Sequence, residues 1–206
     1  MPMRDFFAGI TGYWPAGVEH YHWHVLPDPE IIRRQLAGPY QELTHRTGLA
    51  PVQSRWSHIT VQHFAPLGRP ADDAMGKIIE LVRDRCSRIA SFQAVIGKAQ
   101  VQAAGIVCPV RAGPSLRQLW QAATGAGRNV TGKRYEVRPD PYDPHLTLAY
   151  ACADVSDKPL QEWLSSCRIG TVAIPVTRLS LVAQRHDCKE ITWRLLEHIP
   201  LSGEPR

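Results

Sequence analysis

The sequence predicts an α+β fold in which antiparallel strands and amphipathic helices alternate along a chain of 206 residues. Three observations support this class. Two strand-like segments carry the same short pattern, a histidine and a threonine two residues apart. A helix with apolar residues spaced by three and four follows the first of them. The order of motif strand and then helix occurs in both halves, over 56–90 and 144–167, which indicates an old duplication.

In the first half, β-branched and aromatic runs predict a strand near 18–26 and the first motif strand over 56–64. Helical stretches are predicted within 28–46, where Asp28 can cap the helix and Pro29 suits its first position. Gly38-Pro39 should break this stretch, because proline removes a backbone donor and clashes with the preceding turn. The apolar spacing described above predicts a helix near 72–90.

The second half follows the same logic. Strands are predicted within 92–110, at the second motif over 144–150, and at a terminal pair over 171–183 and 190–199. Helices are predicted near 114–124 and 158–167. Three glycines and four basic residues over 125–138 predict a loop that leads into the second motif.

The two motifs are His58-Ile59-Thr60-Val61 and His145-Leu146-Thr147-Leu148. Residues two apart on a strand point to the same face, so each motif presents an imidazole beside a hydroxyl. Alternation also predicts Gln62 on the face of the first pair. A third copy, His45-Arg46-Thr47, lacks an apolar strand and runs into Gly48, so we interpret it as the end of a helical stretch.

The paired motifs resemble those of the 2H phosphoesterase superfamily, in particular its bacterial RNA 2′,3′-cyclic phosphodiesterase or 2′-5′ RNA ligase branch. The likeness covers roughly residues 18–201. It is carried by Tyr21 to Leu26, Arg55 to Gln62, Pro144 to Tyr150, and Val176 to Leu201. The resemblance implies one bilobal domain over 1–206, with two pseudo-symmetric lobes. Each lobe would be a small antiparallel sheet with helices outside, and a catalytic cleft would lie between the lobes.

The resemblance also implies the chemistry. It assigns His58 as general acid and His145 as general base in hydrolysis of a 2′,3′-cyclic phosphate or a related 2′-linked phosphodiester. The sequence leaves the order of acid and base open. Thr60 and Thr147 would bind the phosphate oxygens, where charge builds in the transition state. The same steps in reverse would join two RNA ends through a 2′-linked phosphodiester. The resemblance implies no metal or cofactor.

Several other residues are candidates for substrate contact. His24 could line the cleft, and Arg111 and Arg185 could bind phosphate or ribose through bidentate contacts. Gln62 and Tyr142 are further candidates. Trp56, Tyr135 and Tyr142 flank the motifs and could stack a base, although such aromatics more often pack in a core. His20, His22 and His24 alternate as metal ligands can, but no acidic residue or cysteine with ligand spacing lies nearby in the sequence.

Composition limits the partners. The formal charge of +5 favours an anionic partner, here RNA or a nucleotide with a cyclic phosphate. Five scattered cysteines predict free thiols, and no segment predicts a membrane span or a signal peptide, so we expect a cytoplasmic protein. No phosphate-binding glycine loop for ATP is present in the sequence, and no obligate protein partner is inferred.

Other functions fit the same motifs. The substrate could instead be a small cyclic nucleotide or a signalling oligonucleotide. The chain could also be a non-catalytic RNA-binding module that keeps the cleft as an anion site. A third alternative is a structural protein of the same fold whose histidines are buried and hydrogen-bonded.

Overall fold

The computed structural model describes residues 2–132, 134–135 and 142–203, and it contains short and long helices around a large sheet. The α-helices are α1 (Phe6–Ile10), α2 (Pro29–Ile32), α3 (Gln41–Thr44), α4 (Asp72–Cys86), α5 (Ser115–Thr131) and α6 (Lys158–Ser166). The strands are β1 (His20–Val25), β2 (Leu49–Pro51), β3 (Ile59–Pro66), β4 (Phe92–Ile96), β5 (Gln100–Gln102), β6 (Gly105–Arg111), β7 (His145–Ala151), β8 (Val172–Val176), β9 (Arg178–His186) and β10 (Ile191–Pro200). The predicted α+β class is confirmed.

The main path of the sheet runs β10-β9-β1-β3-β7-β6-β4-β8, and every pairing along it is antiparallel. Four strands lie on each side of the contact between β3 and β7. That contact is a single residue pair, Ile59 with Leu146. The strands of the two expected lobes are therefore joined here, because the two halves form one hydrogen-bonded sheet at this narrow junction.

The helix α5 is longer than predicted, and this corrects the loop expected over 125–138. Its last turn extends to Thr131 through Gly125 and Gly127. A Cβ atom at Gly127 would lie 2.9 Å from the ring of Phe64, and one at Gly125 would overlap the Arg85 guanidinium. These glycines allow close packing of α5 against β3 and α4 rather than marking a turn. Residues 133 and 136–138 of the predicted loop lie outside the described residues.

The break at Gly38-Pro39 is confirmed. The chain continues from α2 through one turn of π-helix, Arg33–Ala37, and resumes as α3 after a turn. The predicted strand over 171–183 is two strands, β8 and β9, separated at Thr177, and β8 pairs with β4 while β9 pairs with β1. The N-terminal helix α1 was not predicted, because five residues are too few to show a periodicity.

The described helices include none that is both long and apolar enough to cross a membrane. All five cysteines are free thiols, as predicted. Burial raises the pKa of the Cys86 and Cys108 thiols to about 12, so both behave as core residues.

Candidate active site

The two motifs meet at the junction between β3 and β7. Ile59 and Leu146, the middle residues of the two motifs, are paired antiparallel. Continuing that register by one residue in each direction places His58 across from Thr147 and Thr60 across from His145. Residues directly opposite each other share a face. Two imidazoles and two hydroxyls therefore stand around one point of the sheet.

Both motif histidines are held in the same way. Nδ1 of His58 lies 2.8 Å from the carbonyl oxygen of Trp56, and Nδ1 of His145 lies 3.0 Å from that of Asp143. A carbonyl oxygen only accepts, so Nδ1 donates in each ring. Nε2 is left to accept a proton when the ring is neutral, or to donate one when it is charged. The geometry fixes each tautomer and ring direction.

His58 lies within a packed group of rings. It is 9% exposed, and its ring stacks on that of His24 at 4.2 Å with an interplanar angle of 11°. Burial lowers the pKa of His58 to about 4; the hydrogen bond to the Trp56 carbonyl opposes this shift, and the nearby charge of His145 adds to it. His58 is therefore neutral at cell pH in the free protein.

Further imidazoles extend the group inward. His24 pairs with Thr60 across the strands, and the ring of His22 lies 5.5 Å from that of His24 and 4.6 Å from that of His63. Burial lowers the pKa values of His22 and His24 well below the usual range, and the surrounding histidines act in the same direction. The structure thus brings the candidate His24 to the site, beneath His58.

The H-x-H-x-H row does not form a metal centre in the structure. Among the described residues, no group of three or more His, Cys, Asp or Glu side chains is arranged to hold a metal ion. Nδ1 of His22 and both ring nitrogens of His24 lie buried without a hydrogen-bond partner. This arrangement favours neutral imidazoles that pack as flat rings.

His145 has more open surroundings. It begins β7, is partly exposed, and pairs with Pro109 of β6. Arg111, two residues beyond Pro109, is exposed at the end of β6 on the same face. The hydroxyl of Tyr142 donates to the carbonyl oxygen of Thr60 at 3.2 Å and so joins the second motif to the backbone of the first. Arg111 and Tyr142 are both brought to the site.

A β-bulge follows the threonine in each motif strand. In β3, Thr60 pairs with His24 and Gln62 with Trp23, so Val61 is the extra residue. In β7, Thr147 pairs with Val107 and Ala149 with Ile106, so Leu148 is the extra residue. Each bulge reverses the alternation of side chains beyond it. The residues five positions after each histidine, His63 and Tyr150, therefore share the face of the motif residues.

This corrects the prediction for Gln62. Its side chain points to the opposite face, where Oε1 accepts a hydrogen bond from Thr124 of α5 at 2.9 Å. The bulge also reveals a residue that sequence reasoning missed. The side chain of Tyr150 is hydrogen-bonded to that of Thr147, and burial raises the pKa of its hydroxyl to about 12. Strict alternation places Tyr150 on the wrong face, so only the bulge could have signalled it.

Arg185 does not lie at the site, contrary to expectation. It lies within β9 rather than in a turn, and it pairs with Thr192. In the same strand, Ser180 pairs with His24, so the even-numbered residues share the histidine face and Arg185 points away from it. The turn of the final hairpin comes later, after His186.

The flanking aromatics fill packing positions. The ring of Trp56 contacts that of Trp193 at 5.5 Å, and Tyr135 contacts Phe64 at 5.8 Å near the Gln62 side of β3. The ring of Tyr142 stacks on Trp120 of α5 with an interplanar angle of 12°. The third H-x-T copy is at the end of α3, where His45 Nδ1 donates to Gln41, as interpreted from the sequence.

Comparisons with known proteins bear on the family and on the fold. A family model described as the 2′-5′ RNA ligase superfamily matches residues 28–187. Among solved structures, E. coli LigT complexed with 3′-AMP is 16% identical with a TM-score of 0.67, and TT0787 of Thermus thermophilus is 19% identical with a TM-score of 0.68. Each alignment covers 90% of this chain and 99% of the other. No curated protein sequence matches the chain.

The matched range spans most of the chain and contains both motifs, and the two structural neighbours share its fold over nearly their whole length. The resemblance predicted from the paired motifs is confirmed. The chain belongs to the 2′-5′ RNA ligase superfamily, within the 2H phosphoesterases.

Proposed function

We propose that this protein hydrolyses 2′,3′-cyclic phosphates at the ends of RNA or oligonucleotides by acid and base catalysis at His58 and His145. The observation that supports this most is the junction itself. It sets each motif histidine across from the threonine of the other motif, so that two imidazoles and two hydroxyls could approach the same phosphate. Structures of the neighbour E. coli LigT have been solved with 3′-AMP, phosphate, ATP and NADP+.

The reaction adds water across one phosphorus–oxygen bond. A water oxygen attacks phosphorus as a base removes a proton from the water. The bond from phosphorus to one ribose oxygen breaks, and an acid delivers a proton to that oxygen. The product is a phosphomonoester with a free neighbouring hydroxyl. Two imidazoles, each with Nε2 free to exchange a proton, supply both transfers.

The burial of His58 supports it as the base and His145 as the acid, the reverse of the order suggested by resemblance. A neutral imidazole is needed to accept the proton from water, and the pKa of about 4 keeps His58 neutral in the free protein. The negative charge of a bound phosphodiester favours the protonated ring and moves the pKa of His58 toward the range useful for proton transfer. His145, partly exposed, would donate to the leaving oxygen.

The hydroxyls of Thr60 and Thr147 would donate to the non-bridging phosphate oxygens. Charge on these oxygens grows in the transition state, so fixed donors lower the barrier. Arg111 would approach the same oxygens or the ribose from the end of β6. His24 and Tyr142 would act indirectly, His24 by holding the ring of His58 and Tyr142 by fixing the backbone at Thr60.

The test is hydrolysis of a nucleoside 2′,3′-cyclic phosphate, and of a short RNA with a cyclic end, in excess EDTA. His58→Ala and His145→Ala should each lower kcat/KM by about 10³ or more. His45→Ala removes the histidine of the third, exposed H-x-T copy and serves as the matched control, with activity close to that of the native protein. A native protein that binds these compounds without turnover would contradict the proposal and favour a binding module.

A further inference from the structure

The N-terminal segment crosses the sheet on the histidine face and is held at both ends. We call residues 3–18 the strap; it precedes the range matched by the family model. At one end, Met3 pairs with Val155 after β7, with its N–H donating to the Val155 carbonyl oxygen at 2.8 Å. At the other end, Nε2 of His186 donates to the carbonyl oxygen of Trp14 at 2.7 Å, so the strap spans both halves of the sheet.

The strap contacts the imidazole row in the first half. The ring of Trp14 lies 5.5 Å from each of the rings of His20 and His22 and 4.9 Å from that of His186. These histidines alternate along β1 and β9 and point to the same face as the motif residues. The strap therefore covers that face and not the face packed against α5.

In the second half, a single side chain, that of Tyr150, separates the strap from Thr147, the threonine proposed to bind phosphate. The ring of Phe6 lies 4.4 Å from that of Tyr150, and the ring of Phe7 lies 5.6 Å from it. Tyr150 is itself hydrogen-bonded to Thr147. Along β7, the motif residues His145 and Thr147 are thus followed on the same face by an aromatic wall formed by Tyr150, Phe6 and Phe7.

We propose that this wall restricts the protein to phosphates that carry a single nucleoside, and so to cyclic ends rather than internal 2′-5′ linkages. In a 2′,3′-cyclic phosphate both ester oxygens belong to one ribose. In a linear 2′-5′ diester a second nucleoside extends from the other ester oxygen of phosphorus, and on this proposal that nucleoside is directed toward the wall beyond Thr147. The inference rests on the proposed function and names which of the phosphodiesters in that class the site accepts.

The test compares kcat/KM for a nucleoside 2′,3′-cyclic phosphate and for a 2′-5′-linked dinucleoside monophosphate. The native protein should prefer the cyclic compound by about 100-fold or more, because steric exclusion acts on one substrate only. Phe6→Ala shortens the wall, and it should narrow that preference about tenfold by raising turnover of the linear diester. Tyr13→Ala is the matched control, because Tyr13 lies in the same segment and is 68% exposed; it should leave the ratio as it is.

Comparable turnover of both compounds by the native protein would overturn the inference, and so would an unchanged ratio in Phe6→Ala. Failure of the proposed function has a different signature, since the native protein would then turn over neither compound. In that case calorimetric titration decides the inference separately. Binding of a nucleoside 2′-monophosphate but not of the 2′-5′ dinucleotide would support the wall, and equal binding of the two would overturn it.

Discussion

The histidines of the two motifs differ in their surroundings although their local geometry is the same. Both rings donate from Nδ1 to the carbonyl oxygen two residues earlier, and both are followed by a threonine and a bulge. His58, however, is buried against His24, whereas His145 is partly exposed beside the end of β6. A duplicated motif thus supplies two equivalent groups, and the packing around each decides which is better suited to accept a proton and which to donate one.

After the two histidines themselves, the largest effect should come from the two threonines, which test whether the two motifs are equivalent. Thr60→Val and Thr147→Val keep a β-branched strand residue and remove the hydroxyl. Each should lower kcat/KM for a cyclic phosphate by about 100-fold, because one hydrogen-bond donor to the developing charge is lost. Steady-state kinetics on the two variants checks this. A loss confined to one of them would break the equivalence of the two motifs.

Lowering the pH should destabilise the folded protein through the buried histidines of the first half. The pKa of His58 is about 4 in the folded protein and near 6.5 in the unfolded chain, so the unfolded chain binds more protons between these values. Stability is therefore lost as the pH falls below 6.5. For His58 alone the loss from pH 7 to pH 5 is about 2 kcal/mol, and His22 and His24 act in the same direction.

Urea unfolding at pH 7 and pH 5 measures this loss. His58→Gln removes one of the titrating groups and should make the loss smaller, whereas His45→Gln, at an exposed position, should leave it unchanged. Equal unfolding free energies of the native protein at the two pH values would show that the histidine row is not held neutral by the fold.

A smaller effect on catalysis should distinguish Tyr150 from His63, the two residues that follow the bulges on the motif face. Tyr150→Phe keeps the ring and removes the hydroxyl bonded to Thr147, so Thr147 is less well oriented. We expect a decrease of about tenfold in kcat for a cyclic phosphate, the size of one neutral hydrogen bond. His63→Phe, at the equivalent position of the first strand, should change kcat by no more than about twofold. Similar losses in the two variants would contradict the assignment of Tyr150 to positioning Thr147.

Much of this site could be predicted from local sequence. The period of two in a strand correctly places each histidine on the same face as its threonine, whereas the direct pairing of the two motif strands was not predicted. The positions of Gln62 and Tyr150 could not be predicted, because each depends on one extra residue, Val61 or Leu148, in a ladder formed with a distant strand.

Packing between distant elements explains the other corrections. Gly125 and Gly127 look like turn residues, yet they lie within α5 because Arg85 and Phe64 come too close for a side chain. The direction in which Arg185 points follows from the register of β9 against β1. The sequence of β9 alone does not determine that register. The burial of His58 likewise arises from His24, more than thirty residues earlier in the chain.

We propose that packing divides the roles of the two motif histidines. This division is tested most directly with 2′,3′-cyclic phosphorothiolates, in which sulfur replaces the 2′ or the 3′ ester oxygen. A thiolate leaves without protonation far more readily than an alkoxide, so the general acid becomes dispensable when sulfur is the leaving atom. His145→Ala should then recover to within about tenfold of the native rate on one of these compounds, while His58→Ala stays about 10³ slower on both. Recovery of His58→Ala instead of His145→Ala would contradict the account.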